Sequence, residues 1–361
     1  MKNKLLKGLL VVVSVGIALF SALLVTLTVT EYKPETIEAL KVVSAKEAKT
    51  VSVGDKITAL TWNIGYGTLD ASADFFMDGG KKVKTADAKT TRSNMDNILK
   101  EVKQIDPDLS FFQETDLDSQ RSNHVNEAVW LARGLGDVSH SFATNYKVLF
   151  VPYPIPPIGQ VHAGILTTSR YEIAEATRYQ LPCPYKWPGR VGNLKRCISL
   201  NRIPVAGTNK ELVAVNLHLE AYDNGEGRAQ QTKMLRTILQ KEAAAGNYVI
   251  AAGDFNQTFS NVDLSAYPQK EGLWKPGTID TESFRQGLDL HMDAKVPSCR
   301  SLDRAYKGAN HKDFQYYVID GYIVSSNIKV KSVETMDLGF QYSDHNPVVL
   351  KAVLTKAKKA R

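Results

Sequence analysis

Cysteine is scarce. Cys183, Cys197 and Cys299 are the only three in 361 residues, too few for a disulfide scaffold, although a Cys183–Cys197 bridge stays open. Only 14 prolines and 24 glycines occur, which excludes collagen-like and low-complexity chains. The 45 basic against 38 acidic residues give a formal charge of +7, but the excess is confined to the ends. Lys2, Lys4, Lys7, Lys356, Lys358, Lys359 and Arg361 account for all of it, and the body between them is neutral. Composition therefore offers no basic stripe for nucleic-acid phosphates. No G-x-x-x-x-G-K-[ST] loop, no G-x-S-x-G elbow and no structural-zinc Cys/His spacing is present. There is no internal repeat.

One long apolar run exists, the 23 uncharged residues Gly8 to Thr30. At about 1.5 Å per residue such a helix crosses a ~30 Å hydrocarbon core. The run exceeds a signal-peptide h-region and lacks a cleavage site, so residues 1–30 are expected to be an uncleaved membrane anchor. Lysines before it place the N-terminus inside and the rest extracytoplasmic, a single-pass arrangement at the cell membrane. Residues 31–55, polar with weak helical patterning, are expected to be a stalk, 56–355 a single catalytic domain, and 356–361 a basic tail.

The body predicts short strands at 57–63, 108–113, 146–151, 163–168, 196–203, 211–218, 247–252, 317–324 and 347–354. Met95, Ile98, Leu99, Val102 and Ile105 make one buried stripe of a helix over 90–105. Leu235, Ile238 and Leu239 mark a second helix over 227–245, stopped at Gly246. Many strands with few helices indicate α+β, two packed sheets covered by helices.

Polar residues recur at strand ends, where a strand delivers a side chain rigidly to a shared rim. Asn63 closes TWN, Glu114 lies in QET and His218 in NLHL. Asp254 and Asn256 follow NYVIAA, and Asp344 and His345 precede the last strand. Each alone is more often a turn residue, a solvated group or a hydrogen-bonded core residue than a ligand or catalyst. Asp320, between apolar residues of YVIDGYIV, needs a partner if buried. Together, hard oxygen donors suit Mg²⁺ beside a phosphate, with Mn²⁺ as a second choice.

The ordered series TWN, QET, NLHL, GDFN, IDGYIV and SDHNP resembles the endonuclease/exonuclease/phosphatase superfamily over about 57–354. That family embraces deoxyribonucleases, repair nucleases, inositol-polyphosphate phosphatases and neutral sphingomyelinases. The resemblance implies a four-layered α/β/β/α sandwich and a metal-dependent hydrolase of phosphoric esters. It implies Glu114 as the principal metal ligand, with Asn63 beside metal and phosphate and Asp344 completing the metal or water network. His218 would hydrogen-bond a phosphate oxygen, Asp254 orient water or a metal, and Asn256 hold the phosphoryl group. His345 would be general base or transition-state donor, oriented by Asp320. The glutamate of repair nucleases has no counterpart, the long loop after TWN has no assignment, and the carboxylate partner of His218 is not identifiable.

Two Pro-rich stretches, VPYPIPPIG (151–159) and LPCPYKWPG (181–189), are either rigid surface loops or bilayer contacts through Tyr153, Ile155, Ile158, Tyr185 and Trp187. The leading expectation is a monomeric, membrane-anchored phosphodiesterase or phosphatase facing outward, for which a lipid headgroup or another surface phosphoester is a fitting substrate. A secreted nuclease for DNA or RNA and a catalytically silent surface-binding protein are the alternatives.

Overall fold

In ELVAVNLH, Leu212 and Ala214 turn to one face and Val213, Val215 and Leu217 to the other, and all are buried. A strand apolar on both faces must lie in a sheet covered on both sides. The computed structural model, which describes residues 2–356, meets that demand with two stacked sheets and helices outside each.

The chain opens with α1 (Lys2–Val29), β1 (Ile37–Ala39), β2 (Val42–Val43) and β3 (Val51–Ser52). Next come β4 (Lys56–Asn63), α2 (Ala88–Ile105), β5 (Leu109–Asp116), α3 (Glu127–Gly134), β6 (Ser139–Val151) and β7 (Gly159–Ser169). Then follow β8 (Glu175–Gln180), β9 (Cys197–Ala206), β10 (Glu211–His218), α4 (Glu226–Ala244) and β11 (Tyr248–Asp254). The last stretch is built of strands: β12 (Gln257–Phe259), β13 (Gly277–Ile279), β14 (Leu288–His291), β15 (Cys299–Arg300), β16 (Tyr316–Tyr317), β17 (Asp320–Ser325), β18 (Ile328–Thr335) and β19 (Val348–Leu354).

The first sheet runs β1-β8-β9-β10-β11-β17-β14, with β3 alongside β9; the second runs β18-β19-β4-β5-β7-β6-β2. Between them lie Ile57, Ala59, Phe111, Ile203, Ile250, Tyr322 and Leu350. Helix α2 closes the outer face of the second sheet with Met95, Ile98 and Val102. Each such side chain contributes roughly 1.5–3 kcal/mol by leaving water. Asp87 caps α2 by accepting from Thr90 N, and Gly246 follows α4 in the left-handed region at φ +81, a turn that favours glycine. Helix α4 covers the first sheet through Leu235 and Leu239.

Polar links cross the apolar interlayer at several points, among them Asn216 and Tyr322. Asn216 of β10 donates to Phe112 O (3.2 Å) and Leu166 O (2.9 Å), and accepts from Gln113 Nε2 at 2.8 Å. The Tyr322 hydroxyl lies 2.9 Å from Ala59 O and 2.8 Å from Val348 O. Both fix the sheets' offset, which apolar packing alone leaves soft.

The structure departs from the sequence reading in several places. The expected stalk packs against the body: β1 pairs with β8, β2 with β6 and β3 with β9. Short apolar pieces such as VV and VSV suffice when a sheet edge offers unpaired backbone groups. Strand β18 was missed because a bulge between Val330 and Ser332 breaks its alternation. The strand expected over 317–324 splits, because Val318 O and Ile319 O are taken by Thr258 Oγ1 and Phe255 N. The three cysteines are free. Of the basic tail, only Lys356 falls within the described residues.

Helix α1 is apolar enough over Lys4–Val29 to cross a membrane, with a mean hydropathy of 2.7. Its last turns pack on the body, where Leu23, Leu24 and Leu27 meet Tyr146, Val148, Val161 and Val191. Trp187 Nε1 donates to Thr28 Oγ1, and buried Glu31 pairs with Arg190 (2.9 Å) and Lys195 (3.1 Å).

Replacing Asn216 by Ala should remove the side-chain donor from two carbonyls and the cross-sheet acceptor of the Gln113 amide. Denaturant unfolding should report a loss of about 2–4 kcal/mol; a loss under ~0.5 kcal/mol would refute the interlayer role.

Candidate active site

Pairing register gathers the polar strand ends at one rim. Asn63 lies opposite Gln113 across parallel β4 and β5, which puts Glu114 one residue beyond. His218 is level with Asp254 across parallel β10 and β11, and Asp254 faces Asp320 across antiparallel β11 and β17. His345 makes a bridge to Cys299, and Trp62 Nε1 donates to His345 O at 2.9 Å. All eight residues picked from the sequence therefore converge. Glu114 and Asn256 both adopt φ of 50, a left-handed conformation costing about 1–2 kcal/mol for a residue with a Cβ. Such strain at two rim residues is paid for elsewhere in the fold, a pattern common at functional sites.

Asn63 is the hub. Its Nδ2 donates to Glu114 Oε1 (3.2 Å) and Asp254 Oδ2 (3.1 Å) and lies 3.5 Å from His345 Nε2, while its Oδ1 accepts from Gly65 N at 3.0 Å. The Gly65 N–H requires the oxygen on that side, so the amide turns its NH₂ toward the acids. Asn63, expected as a metal ligand, here turns its NH₂ to the Glu114 and Asp254 carboxylates, and its oxygen is taken by Gly65 N.

The second unit is a buried relay. His345 Nδ1 lies 2.8 Å from Asp320 Oδ2, which also accepts from Ser298 Oγ at 2.7 Å. Nε2 faces Asp254 Oδ2 at 3.8 Å. Burial opposes charge on the ring, but the Asp320 carboxylate outweighs it and holds His345 well above the usual imidazole range. Burial, followed by the charge of Asp320, pushes Asp254 up to about 7. Asp344 rises to about 6, from burial and then the nearby Glu114 charge.

His218 has the partner that the sequence did not disclose, Asp254 Oδ2 at 3.4 Å from its Nε2. Its Nδ1 is buried without a hydrogen bond. Burial, then Arg196 and His345, hold the ring well below the usual range, so it is neutral. Asn256 donates to Leu219 O at 2.9 Å, so one of its amide protons is committed to the loop instead of being free for a phosphoryl group.

The rim opens into a cleft of about 200 Å³. Residues that no motif marked complete it. Arg121 forms a two-pronged pair with Asp116 and stacks 3.9 Å over Tyr66, and Arg196 pairs with Glu220 at 3.3 Å. Ser298 is equally invisible in sequence, because a serine in VPSCRS carries no pattern. Of the five candidate bilayer contacts, Tyr153, Ile155 and Trp187 are exposed, whereas Ile158 and Tyr185 turn inward to line the cleft. Tyr185 instead donates to Glu220 Oε1 at 2.9 Å.

The donor set fits a hard dication. Glu114 and Asp344 offer carboxylate oxygens whose mutual repulsion has no internal cation at hydrogen-bonding distance. A softer group, Cys299 with Asp344 and His345, lies close enough to share an ion. Burial, however, pushes the Cys299 thiol up to about 12, so it stays protonated and does not offer thiolate.

Buried acids, amides and imidazoles at one rim of a four-layered sandwich define a metal-dependent hydrolase of phosphoric esters. The chain belongs to the endonuclease/exonuclease/phosphatase family, which it matches over residues 60–345. No curated protein matches it by sequence. Among solved structures it is similar to an endonuclease/exonuclease/phosphatase from Beutenbergia cavernae, with 18% identity, a TM-score of 0.56, and coverage of 84% of this chain and 73% of that one. A Bacteroides vulgatus member of the family gives 16%, 0.52, 83% and 99%. The human Nocturnin catalytic domain with bound sulfate gives 15%, 0.50, 88% and 98%. At such identities the likeness establishes the fold alone.

Burial also pushes the Cys197 thiol up to about 11, leaving half-exposed Cys183 as the accessible one. A thiol reagent at neutral pH should modify one cysteine in the native protein and three after denaturation; fast modification of two or more would contradict this packing.

Proposed function

We propose that the protein is a membrane-anchored, extracytoplasmic phosphodiesterase or phosphatase that uses Mg²⁺, with Mn²⁺ able to replace it, on a lipid-headgroup phosphoester. The observation carrying this reading is the Asp320–His345 pair aimed, through Nε2, at Asp254 and Asn63. Glu114 and Asp344 would hold the ion. When bound, the ion offsets charge developing on the phosphoryl oxygens.

The remaining chemistry falls to the chain. Asp320 fixes the His345 ring with its Nδ1 proton, so Nε2 can donate to a phosphoryl oxygen. Asp254 is placed to orient a water and accept its proton, held by Asn63 and by Asn256 N at 2.8 Å. Neutral His218 lines the cleft and would turn Nε2 to a phosphate oxygen, since its Nδ1 is buried. In-line attack by that water would break a P–O ester bond.

The lipid reading draws support from α1. Tyr146, Ile158 and Leu194 belong both to the apolar cluster under its last turns and to the cleft wall. Exposed Trp187 at Thr28, with Tyr153 and Ile155 on the neighbouring hairpin, suits a headgroup layer. A cleft mouth beside the anchor favours substrates presented by a bilayer. Salt-sensitive degradation of plasmid would favour the nuclease instead, and binding without turnover the silent protein.

Full-length protein in micelles with Mg²⁺ should hydrolyse a generic phosphodiester and lose that activity in EDTA. His345→Ala should lower kcat by about 10³-fold or more with an unchanged melting profile. Undiminished turnover in EDTA or in His345→Ala would reject the mechanism.

A further inference from the structure

The loop after β4, residues 64–87, enters the chemistry above only through Gly65 N, yet it forms one wall of the cleft through Tyr66, Leu69, Phe75 and Asp78. Its own hydrogen bonds shape it. Asp74 Oδ1 accepts from the backbone of Lys81 (2.5 Å) and Lys82 (2.9 Å), and Phe75 N donates to Leu302 O at 2.8 Å. This conformation carries Asp78 into the cleft, where Tyr222 Oη donates to its Oδ1 at 3.2 Å.

Asp78 has no basic partner among the described residues. Lys82, four residues on, goes to Asp74 and to Ser72 O. The cleft arginines are committed too: Arg121 to Asp116, Arg196 to Glu220, and Arg300 to the carbonyls of Ser301 and Asp70. Besides the Tyr222 hydroxyl on Asp78, two further aromatic side chains share this cleft. Trp274 Nε1 donates to Ala221 O beside Tyr222, and Trp274 meets Tyr317 edge to face at 5.1 Å. All four side chains line the cleft that holds His218 and His345. Burial, followed by the charge of Asp344, pushes the Asp78 carboxyl up to about 7, which places it within electrostatic reach of the metal-binding acids.

A partly desolvated carboxylate among ring faces, with no protein cation, is chemically complementary to an organic cation. A phosphate would be repelled there, and a sugar would leave the charge unanswered. We propose that Asp78, Tyr222, Trp274 and Tyr317 form a subsite for an organic ammonium, so that the phosphoester cleaved at the adjacent rim carries a positively charged headgroup. This rests on the phosphoester-hydrolase reading and narrows its substrate class. The loop then serves as a selector, and it reads the alcohol side of the ester, not the phosphoryl group.

Full-length protein in detergent micelles should be assayed with p-nitrophenyl phosphocholine and with its uncharged carbon isostere, p-nitrophenyl 3,3-dimethylbutyl phosphate. The expected result is a kcat/KM about tenfold or more in favour of the charged ester, carried mainly by KM, and erased in Asp78→Asn. Equal kcat/KM for the two esters in the unmodified protein, or a preference that survives Asp78→Asn with an unchanged melting profile, overturns the subsite. Tetramethylammonium titrated against tryptophan fluorescence reads the same subsite without turnover. Saturable binding weakened about tenfold in Asp78→Asn supports it, and no saturable change overturns it. Binding without hydrolysis of either ester would sink the hydrolase reading while upholding the subsite. Phosphatidylcholine vesicles then separate sources: cleavage of vesicle lipid and soluble ester, or of soluble ester alone, both uphold the subsite and distinguish a lipid from a free headgroup.

Discussion

Everything at the rim depends on keeping like-charged carboxylates close together inside a protein. Glu114 comes from one sheet and Asp254 from the other, and the Asn63 amide bonds to both. Burial and the neighbouring Asp320 push the Asp254 carboxyl up to about 7, and the Asn63 hydrogen bond works against that rise by favouring the charged form. The amide cannot swivel, because Gly65 N holds its oxygen. A single side chain thus sets the distance between the two halves of the site and turns both carboxylates toward the same space.

That arrangement is only as firm as the sheets beneath it. Gln113, adjacent to Glu114, is tied through Asn216 to the opposite sheet, and Tyr322 links β17 to β4 and β19. These bonds sit in an otherwise apolar interlayer, where water does not compete for them. The rim therefore inherits its accuracy from polar contacts one layer below, and a shift of one sheet against the other would separate Glu114 from Asp254.

The parts of the fold legible in sequence were those with a period. Strands β4, β10 and β19 and helices α2 and α4 announced themselves through alternation or a stripe, and GDFN and SDH marked one strand end and one strand start. What stayed hidden obeys no local rule. The β1–β3 pairings depend on edges that other segments supply, and β18 hides behind its bulge. Arg121 and Asp78 reach the cleft, and Ser298 reaches Asp320 behind it, from loops whose paths are set by hydrogen bonds to distant carbonyls and carboxylates. Asn63 was legible as a member of the site, but which end of its amide faces inward is decided by Gly65 N, a fact of backbone geometry.

The contact between α1 and the body bears on how the protein can be handled. Glu31 neutralises Arg190 and Lys195, and Leu23, Leu24 and Leu27 cover Tyr146, Val148 and Val161. A truncation that begins at Tyr32 would leave two cations without their acid and bare a greasy strip next to the cleft mouth. Such a shortened chain would tend to self-associate through that strip and block its own entrance. Any soluble version needs either the last two turns of the helix or polar replacements on the surface they shield.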